Sequence, residues 1–163
     1  MPLAALLGQG DPKMAALIDK EQVLFPEHTC LIGVRSFEAG EAELLRSLNV
    51  RVFFMEEVHE KGMETVMREA LTHVKRGVKY FGVTLDLDVI TPEEAPGVGS
   101  PEKDGIKTAD LLKALSLLQK ESSLLAFELV EYNPPFNQHE KTARLCYEIL
   151  STIMKGNDNR PLA

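Results

Sequence analysis

Residues 79–101 read KYFGVTLDLDVITPEEAPGVGSP. The stretch opens on an apolar run, Tyr80, Phe81, Val83, Leu85 and Leu87, which predicts a buried strand over residues 79–87. Two carboxylates, Asp86 and Asp88, interrupt the run where it ends, and a loop rich in Pro and Gly follows. Residues i and i+2 of a strand point to one face, so both side chains are expected to aim at one place beside that loop. Two readings stand. The carboxylates cap a turn by accepting backbone N–H groups. Alternatively they hold a cation, because two carboxylates on one face oppose each other's ionisation unless a positive charge lies between them. Oxygen donors of this kind suit a hard ion.

Working outward, Cys30–Val34 is a short, nearly unbroken apolar run that reads as a strand buried on both faces. A charged loop over residues 35–41 leads into a helix reaching about Leu48, and residues 50–54 form a second strand. Met63, Val66, Met67, Ala70, Leu71 and Val74 recur at steps of three and four, an amphipathic helix over residues 62–75 that Gly77 stops. Thr108 is placed to cap a helix whose inner face is Leu111, Leu112, Leu115 and Leu118. Leu124–Val130 is the fourth strand and ends in Glu131. The last helix uses Ala143, Cys146, Ile149, Leu150 and Ile153. Near the start, Asp11 and Pro12 open a helix to about Lys20, and residues 157–163 form a flexible tail. Four strand–helix alternations predict an α/β fold with a mainly parallel sheet covered on both faces. Ligands of such sheets bind beyond the carboxyl ends of the strands. Three strand ends carry acids there: Glu38 and Glu41, Asp86 and Asp88, and Glu131.

A chain of 163 residues makes one domain with a real core, residues 1–163. Its net charge of -7 argues against a nucleic-acid surface, which would be basic. Cys30 and Cys146 each lie in an apolar run and are expected to be buried free thiols. No apolar run is long enough to span a membrane, and the first residues lack the basic leader of a signal peptide, so a cytoplasmic location is expected. The four histidines, His28, His59, His73 and His139, have no ligand spacing and are expected at the surface or its boundary. Residues 95–100 lack the Gly-Lys-Ser/Thr ending of a phosphate loop.

Thr84-Leu85-Asp86-Leu87-Asp88, followed by Ala95-Pro96-Gly97-Val98-Gly99-Ser100-Pro101, resembles the signature of the ureohydrolases: arginase, agmatinase and formimidoylglutamase. The chain is similar above all to bacterial arginases, with further shared words at residues 31–35, Gly40-Glu41, residues 55–58 and residues 128–134. The resemblance implies a three-layer αβα fold, with about four strands of a larger sheet present. It implies hydrolysis of L-arginine, or a related guanidino compound, to L-ornithine and urea by a pair of manganese ions. By position, Asp86 bridges the two ions and Asp88 ligates one. Glu131 pairs with the substrate guanidinium, Ser100 supplies a loop hydroxyl beside it, and Glu38 and Glu41 read the α-amino group. Family members form trimers or hexamers. Two positions depart from the pattern: Glu38 stands where arginases have Asp, and Thr91 stands where many members have a third Asp.

The family's other manganese ligands, a Gly-Gly-Asp-His and an Asp-Ala-His-x-Asp, and its catalytic histidine in a His-Gly pair, do not occur in this sequence. Residues 1–4 resemble the segment that follows that His-Gly. The chain is therefore expected to be the C-terminal half of such an enzyme, inactive alone, because a manganese ion takes about six oxygen or nitrogen ligands. The family fold also places a strand from the other half between Cys30–Val34 and residues 79–87, which leaves two apolar sheet edges open and prone to association. Two alternatives remain: another ureohydrolase, or a non-catalytic homologue that acts as an interaction fragment.

Overall fold

A computed structural model describes residues 2–9, 11–15 and 23–155. Two short helices come first, α1 (Pro2–Leu6) and α2 (Pro12–Ala15). Asp11 Oδ1 accepts the Lys13 N–H at 2.7 Å, the cap expected of it. The rest of the helix expected to reach Lys20, and the expected tail over residues 157–163, lie outside the described residues. Then follow β1 (Cys30–Val34), α3 (Ala39–Ser47), β2 (Arg51–Phe54), α4 (Met55–Lys61), α5 (Met63–Val74), β3 (Phe81–Asp86), α6 (Thr108–Leu115), β4 (Leu124–Val130) and α7 (Lys141–Met154). Helix α4 was not foreseen. It starts directly from β2 and buries only Met55 and Val58, too few positions to show a period.

The strands pair in parallel as β1 with β2 and β3 with β4, and these are two separate two-stranded sheets. No ladder joins β1 to β3 among the described residues, in keeping with the open edges expected between them. In the second sheet Phe81 pairs with Leu124 and Gly82 with Ala126, so Leu125 is an extra, bulged residue. It is 73% exposed.

The expectation that both sheet faces are covered needs correction for β3–β4. Val83, Leu85, Phe127 and Leu129 face the core shared with α5, α6 and α7. The paired residues of the opposite face, Gly82 with Ala126 and Thr84 with Glu128, are exposed. Thr84 Oγ1 donates to Glu128 at 3.0 Å on that bare face. The sequence misleads here because β4 is apolar on both sides at Leu125 and Ala126.

Helix α7 carries two apolar stripes. Thr142, Leu145, Ile149 and Ile153 are buried, whereas Tyr147, Leu150 and Met154 are 74%, 42% and 65% exposed. At 3.6 residues per turn, the expected inner face with Ala143 and Leu150 straddles both stripes. The Thr108 cap is also corrected. Lys107 holds the cap position, and the Thr108 N–H is satisfied instead by Glu94 Oε2 at 2.6 Å. Cys30 and Cys146 are free and half-buried, and burial pushes the Cys30 thiol up to about 11.

Among the described residues, Thr142 is the buried polar residue of the core. Its Oγ1 accepts the Gly97 N–H at 2.8 Å, and its own N–H donates to Asn137 Oδ1 at 3.0 Å. A Cβ on Gly97 would stand 2.9 Å from the Thr142 side chain, so the loop packs here only as glycine. Thr142→Val strands a buried N–H and is expected to cost about 1–3 kcal/mol in urea denaturation. Thr142→Ser keeps the acceptor and is expected to lose about 1 kcal/mol or less.

Candidate metal and substrate site

Strand β3 ends at Asp86, and the chain turns at once into a 3-10 turn, Leu87–Val89. Asp86 Oδ1 accepts the Asp88 N–H at 3.0 Å and so caps that turn. The two carboxylates therefore meet by a turn, where a strand pleat had been expected. Both are half-buried. Burial, then the Asp86 carboxylate, pushes the Asp88 carboxyl up to about 6; Arg35 opposes this and Glu131 adds to it. The capping reading is realised, and so is the mutual repulsion on which the cation reading rests.

Glu131 follows β4 with φ +65, a left-handed backbone that non-glycine residues seldom adopt. The segment after it grips the Pro/Gly loop. Val98 bridges Tyr132, the Asn133 N–H donates to the Gly97 carbonyl at 2.8 Å, and Asn137 Nδ2 donates to the Tyr132 hydroxyl at 2.9 Å. A Cβ on Gly99 would lie 3.8 Å from Glu131 Oε2. The exposed Ser100 comes next in the chain. Asp86, Asp88, Glu131 and the Ser100 loop are thus neighbours at the carboxyl ends of β3 and β4.

Glu38 and Glu41 are engaged differently. Glu38 is the N-cap of α3, and the two residues form a reciprocal capping box in which the Glu38 N–H donates to Glu41 Oε2 at 3.0 Å. Both are exposed. Beside them the Phe37 and Phe54 rings pack at a tilt of 50°, 5.6 Å between centroids. Thr91 gives its hydroxyl hydrogen bond to Glu93.

Two residues that sequence reasoning passed over bind this end together. Arg35 follows β1 directly. Its Nε donates to the Lys103 carbonyl at 3.0 Å, and its Nη2 donates to the Glu102 carbonyl at 3.1 Å and to the Asp88 carbonyl. His59 Nε2 lies 3.1 Å from the Asp104 carbonyl. The available signal was an arginine immediately after a buried strand, where a charge needs a local partner.

The donors fit a hard ion in kind but not in number. Among the described residues no group of three or more His, Cys, Asp or Glu is placed to hold a metal ion. A cavity of about 640 Å³ lies elsewhere, lined by Val58, His59, Lys61, Lys107 and Lys113 among others, and includes none of the site carboxylates.

A model of the arginase family matches residues 8–155. The arginase of Bacillus caldovelox is 34% identical over 153 residues, which cover 94% of this chain and 51% of that protein. Its solved structure superposes with a TM-score of 0.91 at 32% identity, over 100% of this chain and 53% of that one. An Entamoeba histolytica arginase solved with L-ornithine gives 0.85 at 27% identity, over 94% and 51%. A Bacillus subtilis formimidoylglutamase gives 0.81 at 25% identity, over 91% and 46%. The chain spans about half the length of the curated relatives it matches.

Asp88 carries a pH-dependent cost. Its folded-state pKa is raised, so between about pH 4 and 6 the folded chain holds a proton that the unfolded chain releases. Stability falls as pH rises through that window. In metal-free buffer Asp88→Asn is therefore expected to raise the melting temperature at pH 7.5. The advantage should shrink to nothing as pH drops to about 4, in thermal scans run across that range.

Proposed function

The chain belongs to the arginase family, and from that membership we propose that it serves manganese-dependent hydrolysis of L-arginine to L-ornithine and urea. The observation that carries this reading is the meeting of Asp86 and Asp88 at the end of β3, with Glu131 beside Gly99 and near enough to act on the Asp88 carboxyl. In this reading Asp86 and Asp88 are metal donors, and the remaining donors come from outside the described residues. Bound manganese lowers the pKa of water and so supplies the nucleophile at neutral pH.

The chain's own residues do the rest. Glu131 offers a planar carboxylate to a planar guanidinium, a pairing that fixes orientation as well as charge. Its left-handed backbone aims it away from the run of β4 and toward the Gly99 side. Ser100 brings a hydroxyl that can accept or donate beside the same carboxylate. Glu38 and Glu41 cap α3 through one oxygen each, which leaves lone pairs for an ammonium at the far end of the substrate. Agmatine keeps that amino group and lacks only the α-carboxylate, so this pair of acids suits the ammonium of either substrate, and the preference for arginine rests on the likeness to arginases. The likeness to formimidoylglutamase supports the other-ureohydrolase reading only at the level of the fold.

A non-catalytic interaction role has its own support in the bare β3–β4 face, the unjoined edges of β1 and β3, and the second stripe of α7. The open strand edges and the exposed apolar stripe of α7 are expected to make the isolated chain self-associate. Sedimentation velocity that finds a monodisperse monomer over a wide concentration range would sink that expectation.

The purified chain with manganese is expected to release no useful amount of urea from L-arginine. Robust turnover would overturn the dependence on outside donors. Fused to the N-terminal half of the Bacillus caldovelox arginase, it is expected to release urea from L-arginine in preference to agmatine. Asp86→Ala should then lower the rate by about 100-fold or more, since even supporting residues of metal sites cost about 10–100-fold. A preference for agmatine would favour the other ureohydrolase reading.

A further inference from the structure

The two half-sheets share no backbone ladder among the described residues, yet the site needs parts held by both. Arg35 extends from the end of β1 and reaches the second half through three carbonyls. One belongs to Asp88, in the turn that carries the carboxylate pair. The other two belong to Glu102 and Lys103, directly after the Ser100–Pro101 pair. The next carbonyl, that of Asp104, contacts His59 of α4. Three consecutive carbonyls of one exposed loop are thus held by side chains from the first half-sheet and the helix after it.

A guanidinium suits this task for a physical reason. It is planar, permanently charged and carries five donors in a fixed fork, so it can bind carbonyls of two segments at a set spacing. A lysine ammonium has charge but no such fork. The loop lacks regular secondary structure between Ser100 and Lys107, and residues 101–104 are exposed. Asp104 takes a left-handed backbone there, φ +58.

We propose that Arg35 is a positioning residue that sets the distance between the Ser100 loop and the Asp86/Asp88 turn by tying carbonyls of both. The inference rests on the reading of Asp86 and Asp88 as metal donors only for what the spacing is for; the tether itself stands apart from it. Loss of the fork frees only the span between the backbone bonds of Gly97 to Asn133 and of Ile106 to Val89 and Thr91. It leaves the carboxylate turn in place, because Asp86 caps that turn independently.

The test uses the whole chain, parent and Arg35→Lys, with His59→Ala as comparison. In 15N relaxation, the amides of residues 99, 100 and 102–104 are expected to fall from order parameters of about 0.85 to below about 0.6 in Arg35→Lys. Amides of α5 and α6 should be unchanged. His59→Ala should loosen only the amides around Asp104. Manganese added to the parent is expected to broaden NMR signals of residues 86–89 and 99–102 together. In Arg35→Lys the first set should stay broadened and the second should recover, a split that a general loss of stability would not produce. Unchanged order parameters at residues 99–104, or equal broadening of both sets in the variant, would overturn the proposal. If manganese broadens nothing near residue 86 in the parent, the chain alone holds no ion without its outside donors, and the relaxation result alone then decides the tether.

Discussion

The site end of this molecule depends on the Arg35 guanidinium. In an unbroken parallel sheet, backbone ladders set how neighbouring strand ends lie. Here, among the described residues, the ladders stop at β1–β2 and at β3–β4. What spans the junction is a side chain bound to the carbonyls of Asp88, Glu102 and Lys103. The bond to Asp88 is part-buried and is the strongest candidate for a net gain, whereas water competes with the exposed bonds to Glu102 and Lys103. Close packing supports them. Gly33 in β1 has φ +79, and a Cβ there would stand 2.7 Å from Val89 Cγ2. Only glycine lets the strand approach the turn that carries Asp88, and only that approach brings Arg35 within reach of the Asp88 carbonyl.

Much of the fold is legible in the sequence because burial leaves a period. Strands β1 and β4 appear at the residues read for them, and the step pattern of Met63 to Val74 places α5. What escaped reading has physical reasons. Helix α4 is too short to show a period. Helix α7 is apolar on two stripes, so composition could not say which one is buried. The bare face of β3–β4 is invisible because Leu125 and Ala126 are apolar yet exposed. A sequence records what a surface is made of, and its neighbours decide whether that surface is covered.

The site divides in the same way. Asp86, Asp88 and Glu131 stood out as charges at the ends of apolar runs, and they are neighbours in space. Arg35 did not stand out, since its partners are backbone carbonyls that no side-chain pattern announces. Glu38 and Glu41 show the converse. Their spacing of three satisfies the helix end first, through the reciprocal bonds of a capping box. Any reading of a substrate ammonium uses oxygens already oriented by α3, which makes the acids better placed and less free to adapt. A glutamate at position 38, one methylene longer than aspartate, still closes that box.

Asp88 draws these strands together. Its carboxyl is raised to about 6 because the chain buries it and sets it beside Asp86. A residue selected for stability alone would be amide or apolar there, since a half-buried carboxylate pair weakens the folded state at neutral pH. The cost is local, and the turn that creates it is well made: Asp86 caps it, Gly33 gives it room, and Arg35 holds its carbonyl. Well-built backbone around an unfavourable charge pair supports the proposed cation site, and the want of a cationic partner separates this pair from the half-buried acids of α4 and α5. Those acids sit in surface ion pairs with Arg51, Lys61, Arg68 and Lys113, and such pairs contribute little. Asp88 has an arginine nearby as well, but that arginine's hydrogen bonds go to carbonyls. No hydrogen bond from that arginine reaches either carboxylate, and the Glu131 carboxylate adds to the negative charge around Asp88.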